Sequence, residues 1–395
     1  MANALSAITA WAEPKLAKPG INVVALGFLG LVAVGLGAGA YAFIAGHHHV
    51  YATTREVPWG ILISSYAYFA IISTGLCVLA AISHAFGGNY LAPLANRAVF
   101  LSIITIMSAF ICIGVELESP HRMLLYNIIS PNFSSNIWWM GTLYGLAVGC
   151  MFVEFFAILT ANWGMAAAIG AIGALAEVGA NSNLGAVFAT LSARPFWYGA
   201  QLPVFFLCSA VMTGAAALIL FTHIAFKLRG EEMDEGTWKG IRMAGKIMAL
   251  TLFLIIVATI WRFICIFTGG NEFAIIAANN LLSGNLSINF WVFETVIGLV
   301  LPLLLVVATG VNNIGAMSAA ALMTLVGGFF QRYDLVINGQ LVPVFYGWDD
   351  LPAILNYFPS PAELLIVMGG ASFTIGAFLL GERYFGRVFA EGEHH

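Results

Sequence analysis

The stretch RAVFLSIITIMSAFICIGVEL, residues 97–117, sets an uninterrupted uncharged run between an arginine and a glutamate. A helix needs about 20 apolar residues to cross the hydrocarbon of a bilayer, and this run has that length. Outward from it, similar runs recur at 22–45, 59–84, 137–161, 165–190, 200–226, 243–268, 289–310, 313–331 and 361–381. The composition agrees: the 395 residues are 61% hydrophobic and 9% charged, against about 25% charged in a soluble domain. An ordinary soluble enzyme, a disordered chain and a coiled coil are excluded. With 15 Lys and Arg against 19 Asp and Glu there is no basic stripe for nucleic acid. The expected fold is an all-α, polytopic bundle of about ten transmembrane helices.

An even number of spans puts both termini on one side. Ten of the 15 Lys and Arg, from Lys15 and Lys18 through Lys227 and Lys239 to Arg387, fall on the terminal side; Arg55, Arg122, Arg194, Arg262 and Arg332 fall on the other. The excess makes the terminal side cytoplasmic, so both termini are expected there, in a cell's inner membrane. The first run has no convincing cleavage pattern and reads as a retained helix. The longer loops, 46–58, 118–136, 269–288 and 332–360, then face outward and carry Tyr126, Trp138, Trp139, Phe345, Tyr346 and Trp348. Interfacial anchoring and a docking face for an outer partner are equal readings of these aromatics. A charged cytoplasmic connector, 227–242, divides one membrane domain into a six-helix part, 1–226, and a four-helix part, 243–395. The fifth run is interrupted by Glu177-Val178-Gly179-Ala180-Asn181-Ser182-Asn183, where the backbone is expected to break.

Each ionisable side chain in hydrocarbon costs at least about 2.5–3.5 kcal/mol and is a candidate site residue for that reason. Glu154 lies inside the fourth run and Glu177 in the fifth. Glu116, Glu118, His121, Arg122, Arg262 and Glu294 share a depth toward the outside. Carboxylates and a histidine at the end of a water path suit proton-coupled chemistry of a quinone head group, which needs donors when oxidised and proton acceptors when reduced. The structural alternative is a set of ion pairs locking helices together, such as Arg262–Glu294.

Cofactor signatures are scarce. The five cysteines sit singly in apolar runs with no CxxC spacing, so no iron–sulfur, zinc or c-type haem motif is present. His84 and His223 are the intramembrane histidines, both near the cytoplasmic side, and a b-type haem between them is a weak alternative. His47-His48-His49 reads as polar loop, and His394-His395 has no reading. Gly35-Leu36-Gly37-Ala38-Gly39 lies in an apolar helix and serves close packing rather than nucleotide binding.

Several marks then coincide in order: Pro58-Trp59-Gly60, Glu118 with Arg122, Val153-Glu154-Phe155, Gly173-Ala174-Leu175 opening a polar stretch to Gly185, Trp261-Arg262-Phe263, Phe290-Trp291 with Glu294, Tyr357-Phe358-Pro359, and Glu363-Leu364-Leu365. The chain resembles the NrfD/PsrC family of quinone-interacting membrane subunits over nearly its whole length. Its ten spans are similar to the HybB and DsrP branches, with DsrP, from a sulfite-reductase-associated complex, the better match. The resemblance implies electron exchange between membrane quinone, menaquinone or ubiquinone, and a periplasmic four-cluster ferredoxin-like iron–sulfur subunit (DsrO-like). It implies further membrane and cytochrome subunits, and no haem or cluster of the chain's own. By position, Glu118, Arg122, Glu154, Arg262 and Glu294 match the family's polar residues.

One position departs: hydrogenase-type relatives place a histidine where this chain has Ala180, and Glu177, Asn181 and Asn183 stand nearby to replace it. The expected roles are proton exchange at Glu118 and His121 beside Arg122, head-group binding by Glu116, Glu177, Asn181, Arg262 and Glu294, and a proton path through Glu154 and Glu177. A secondary transporter, suggested by the broken fifth span, and a structural anchor for a redox partner are the rival readings.

Overall fold

A computed structural model describes residues 20–84, 87–344 and 352–390. Phe345, Tyr346 and Trp348, and likewise Lys15, Lys18, His394 and His395, lie outside the described residues. Among those described there is no strand, and ten helices are long and apolar enough to cross a membrane. They are α1 (Gly20–Ala45), α2 (Ile61–His84), α3 (Ala92–Glu116), α4 (Asn136–Leu159), α5 (Trp163–Ala189), α6 (Gln201–Arg229), α7 (Glu235–Gly269), α8 (Asn289–Ala308), α9 (Ile314–Leu341) and α10 (Pro361–Tyr384). The expected all-α bundle of ten spans is the observed one. We call the face where α1 begins and α10 ends proximal, and the opposite face distal.

Capping sets the helix starts. The side chains of Ser135, Asn162, Asp234, Asn271 and Asn313 each accept a backbone N–H from the first turn that follows. Ser360 and Glu363 form a reciprocal capping box on α10. Gly230 and Gly270, both at φ +69°, close α6 and α7 in the left-handed region that glycine adopts without a Cβ clash. Helix α7 thus starts at Glu235, inside the charged connector read from the sequence, and it packs directly on α6.

Helix α2 is the most deeply buried span and packs on α3, α5, α6 and α9. Helix α4 packs on α5, and α8 on α9. Helix α1 lies against α10, where a Cβ on Gly35 would meet the Leu365 carbonyl oxygen at 2.8 Å. Its other side leaves Val23, Val24, Leu26 and Ile44 exposed, as a lipid-facing helix does. At the proximal end Arg97 of α3 donates to Glu382 of α10 at 2.6 Å, and Arg229 of α6 pairs with the other oxygen of the same carboxylate.

Two expectations change. The fifth span does not break: α5 is continuous through Glu177 and Asn183. Its mid-helix polar side chains lie on buried sides of the helix or bond to neighbouring helices, so the backbone keeps its own ladder. The ninth span does not end at residue 331 but runs to Leu341, so Arg332 is not a loop residue. It is fully buried inside α9. A hydropathy window treats polar side chains as solvent-seeking, whereas here neighbouring helices supply their partners.

Helices α2 and α6 cross on facing glycines. A Cβ at Gly75 would overlap the Ala210 carbonyl, and one at Gly214 would overlap the Gly75 backbone. Gly75→Val should therefore destabilise the purified protein by about 1–3 kcal/mol or more through overpacking, whereas Gly30→Val, at a position with nothing within 4 Å, should leave detergent melting curves nearly unmoved.

Candidate functional site

Beyond its apolar run, α9 continues Gln331-Arg332-Tyr333-Asp334 and Asn338. Positions 331, 334 and 338 fall at helical i, i+3, i+7 spacing and share one face. That face packs on α8 and on the short helix Glu272–Leu282, and Arg262 of α7 joins Glu294 in lining the cavity beside it. Together Arg262, Glu294, Gln331 and Asp334, with Thr259, Phe196 and Phe205, line a cavity of about 10 Å³, room for one water.

The hydrogen bonding there is incomplete. Arg262 donates through Nη2 to the Phe196 carbonyl at 3.2 Å, and its guanidinium stacks 4.2 Å above the Phe196 ring. Arg332 stacks 4.1 Å from the Phe206 ring and donates to Ser209 Oγ of α6 and to Gln331 Oε1. Gln331 Nε2 donates to Glu294 at 3.5 Å, and Asn289 Nδ2 to Asp334 Oδ1 at 3.4 Å. The Nε of Arg262, the Nε and Nη1 of Arg332, Oδ2 of Asp334 and the Thr259 hydroxyl are buried without a partner. Neither guanidinium stands within ion-pair distance of Glu294 or Asp334. Buried polar groups left unpaired cost about 1–3 kcal/mol each, so this cluster is poorly explained as a strut. The Arg262–Glu294 ion pair considered from the sequence does not form.

A groove of about 630 Å³ opens beside the cavity on the lipid side, between α7 and α8. Ile256, Ile260, Ile264 and Phe267 line one wall and Trp291, Thr295 and Leu299 the other. Thr259, Phe263 and Phe290 border both groove and cavity, so the two are adjacent and share a wall. Residues Asn289–Val300 of α8 form a wide π-helical stretch that ends before Pro302. Such stretches are rare and concentrate at functional sites; this one points Glu294 inward and leaves Trp291 half exposed.

A second polar centre occupies the α2–α5 half. Glu177 of α5, fully buried, accepts from Thr74 Oγ1 at 2.6 Å and Ser73 Oγ at 3.2 Å, both on α2. One turn distal, Asn181 is buried with both amide atoms unpaired, and the buried Tyr144 hydroxyl lies beside Thr74. Toward the proximal face His84 Nδ1 meets Glu154 Oε1 at 3.0 Å, both buried. His223 instead pairs with Ser318 at 2.6 Å.

The remaining expected residues stand apart. Glu116 closes α3, half-buried, with Oε2 unpaired. Glu118, His121 and Arg122 are exposed at the distal face, the last two on a short helix, Pro120–Ile129. Trp138 Nε1 donates to the Asn127 carbonyl and Trp139 Nε1 to that of Phe133, so both aromatics also tether this distal segment. The residues predicted as one site by depth are thus split between two interior centres and the distal surface. The distal ends of the two halves are tied by Arg194, which donates to the carbonyls of Gln340, Val342 and Glu56; burial pushes its pKa down. Sequence reasoning missed Gln331, Arg332 and Asp334, although the helical spacing past residue 331 was a usable signal.

The chain matches the family described as polysulphide reductase, NrfD, over residues 49–344. It is 21% identical to a protein named as a selenate reductase subunit in Mesobacillus selenatarsenatis, over 75% of this chain and 78% of that protein. It is 25% identical to a protein named as a dimethyl sulfoxide reductase membrane subunit in Halobacterium salinarum, over 80% and 76% of the two chains. An NrfD homolog of Haemophilus influenzae is 28% identical over 40% and 48%.

The tight fit at the second centre gives a check. A Cβ on Gly170 would fall on the Glu154 carboxylate, while Gly164 has open space. Gly170→Ala should cost about 1–3 kcal/mol by displacing Glu154 from His84, and Gly164→Ala should cost little, read by thermal unfolding of the two variants side by side.

Proposed function

We propose, from the fact that the chain belongs to the polysulphide reductase NrfD family, that it exchanges electrons between membrane quinone and an iron–sulfur partner subunit. The observation that carries the reading is the lipid-side groove between α7 and α8, which shares a wall with a pocket of unpaired donors and carboxylates. An isoprenoid tail matches the apolar groove. The head group stands at the inner wall of the groove and takes the pocket's place only when the side chains around its one-water cavity move apart; Arg262 and Thr259 then donate to its carbonyl oxygens, and Glu294 and Asp334 take the protons when quinol is oxidised. Arg332, pinned by Phe206 and Ser209, supplies positive charge that favours the reduced, proton-losing oxygen. Quinone is the substrate here, and the chain's own residues bind it, orient it and move its protons.

Two relatives carry the names of selenate reductase and dimethyl sulfoxide reductase subunits, which supports a redox assembly. The finer reading is a DsrP-like subunit in dissimilatory sulfur metabolism, with a DsrO-like four-cluster ferredoxin partner and further membrane and cytochrome subunits. It rests on the ten-span length and the order of motifs. In it the proximal face is cytoplasmic, the membrane is the inner one, and the partner docks distally. Glu118, His121 and Arg122, exposed there, exchange protons with water at the edge of that interface; Glu116 supports the distal end of α3. The transporter reading loses the broken helix that suggested it, since α5 is continuous.

The test is quinol-driven reduction of the partner's clusters in the purified assembly. Arg262→Gln and Glu294→Gln should each lower quinol turnover about 10–100-fold, the loss of one charged hydrogen bond of about 1.5–3 kcal/mol. Thr295→Trp, which fills the groove, should raise the KM for long-tailed quinol more than for a tail-less analogue. Failure of any quinone analogue to bind would leave the anchor reading in place.

A further inference from the structure

We infer that the short helix Pro120–Ile129 is an interface helix that lies in the distal leaflet, with phospholipid as its partner. Its sequence, PHRMLLYNII, sorts polar from apolar along the axis rather than around it. His121 and Arg122 stand in the first turn; Leu125, Ile128 and Ile129 follow, and all five are exposed. Ile128 is 80% and Ile129 70% accessible, so the apolar end of the helix is bare on its outward side. Ten residues make a helix of about 15 Å, which is too short to cross the hydrocarbon. Bare apolar surface of this kind marks a contact with protein or with membrane.

Where the helix rests decides between the two. Asn127 Nδ2 donates to Thr142 Oγ1 of α4 at 2.8 Å, Trp138 Nε1 donates to the Asn127 carbonyl at 2.9 Å, and a Cβ on Gly141 would meet Met123 Cε at 3.4 Å. Asn127 is thus a polar peg on the inward side, and the peg sets the depth. Thr142 stands six residues beyond Asn136, the first of α4, about 9 Å inward at 1.5 Å per residue. Interface helices bury their apolar face about 5–10 Å into the boundary between headgroups and acyl chains, which is this level. The flank of α4 matters as much as the depth. Thr142, Leu146, Val153 and Phe156 recur at helical spacing and share one face, and the last three are exposed. That is the flank α4 turns away from the bundle, and the short helix lies on it. A partner seated on the distal ends of the spans stands above this position, whereas acyl chains surround it. Exposed Tyr126 and Trp139, the latter donating to the Phe133 carbonyl, put aromatic rings beside it, as at a membrane boundary. Arg122 has no carboxylate at ion-pair distance among the described residues, and a headgroup phosphate gives it a bidentate partner while the chains below cover Leu125, Ile128 and Ile129. None of these residues lines the α7–α8 groove or its pocket, so the surface is separate from the quinone reading.

Photo-crosslinking of the full-length protein in its complex, in native membranes, tests this directly. Ile128→benzoylphenylalanine and Ile129→benzoylphenylalanine alter two of the most exposed side chains, so the packing of the bundle is left alone. Irradiation should attach phospholipid at both positions, read by mass spectrometry, with a yield like that at Phe152 on the exposed side of α4 and well above that at the exposed His48 of the distal loop. A crosslink to another subunit or to a second copy of the chain, or a lipid yield no higher than at His48, would overturn the proposal. A second measurement reads the backbone. In lipid nanodiscs, amide hydrogen exchange over residues 125–129 should run about tenfold faster in Ile128→Asp/Ile129→Asp than in the wild type, because carboxylates resist hydrocarbon and lift the last turn into water. Equal rates in the two proteins would also overturn it. Neither readout involves quinol turnover, so both stand whichever way the quinone experiment falls.

Discussion

Hydrocarbon offers no water, so every polar group inside the bundle must find its partner in the protein. That constraint sorts the interior polar residues into two kinds. At the proximal end the Glu382 carboxylate receives Arg97 and Arg229 on its two oxygens. At the distal end Glu363 accepts from the Ala52 and Ser360 backbone amides and from the Tyr357 hydroxyl, while Gln340 bonds both backbone groups of Trp59. These carboxylates and amides have their partners and act as struts: they fix how α3, α6, α9 and α10 sit against one another. The groups around Arg262, Arg332, Asp334 and Asn181 keep donors or acceptors free. Evolution can remove a buried charge by substituting an apolar residue of similar volume, often at no loss of stability. Charges that stay, and stay incompletely paired, have another use.

Depth in the membrane is legible in a sequence; azimuth is not. Counting residues along apolar runs put Glu116, Glu118, His121, Arg122, Arg262 and Glu294 at one level, and the structure keeps them toward one face. Which of them meet depends on which helices are neighbours, and no periodicity within one helix carries that information. Arg262 and Glu294 line one cavity because α7 packs on α8 and α8 on α9. Glu118 and His121 do not join them, because the chain leaves α3 and turns along the distal surface. Asp334 and Arg332 were hidden for a different reason: a hydropathy sum ends a span at the first dense polar stretch, although in a bundle that stretch can face inward. The expected break of α5 is the same error inside a span, since the Glu177–Asn183 stretch is polar yet remains helical.

The two halves solve the polar problem in different ways, and the difference is what separates their chemistry. In the α2–α5 half the Glu177 carboxylate is enclosed and accepts from the Thr74 and Ser73 hydroxyls. In the α6–α9 half the pocket borders a lipid-facing groove, and its donors are held back from the carboxylates. The apolar groove has room for a lipid-like tail, and the polar cavity at its wall has room for one water.

The stacking of Arg262 on Phe196 is the step that makes the second arrangement work. A guanidinium beside a carboxylate in low dielectric would collapse into an ion pair, leaving a neutral, closed pair and no donor for a ligand. Here the charge is balanced by the ring face at 4.2 Å and by the Phe196 carbonyl, a weaker and planar partner that leaves Nε aimed elsewhere. Phe205 and Phe206 do the same for Arg332. Aromatic faces hold both cations in the membrane without neutralising them, and Glu294 and Asp334 remain free to gain and lose protons. On the proposed quinone reading, a head group that cycles between carbonyl and hydroxyl needs donors and proton acceptors at once, and separating the opposite charges with aromatic rings would keep both available.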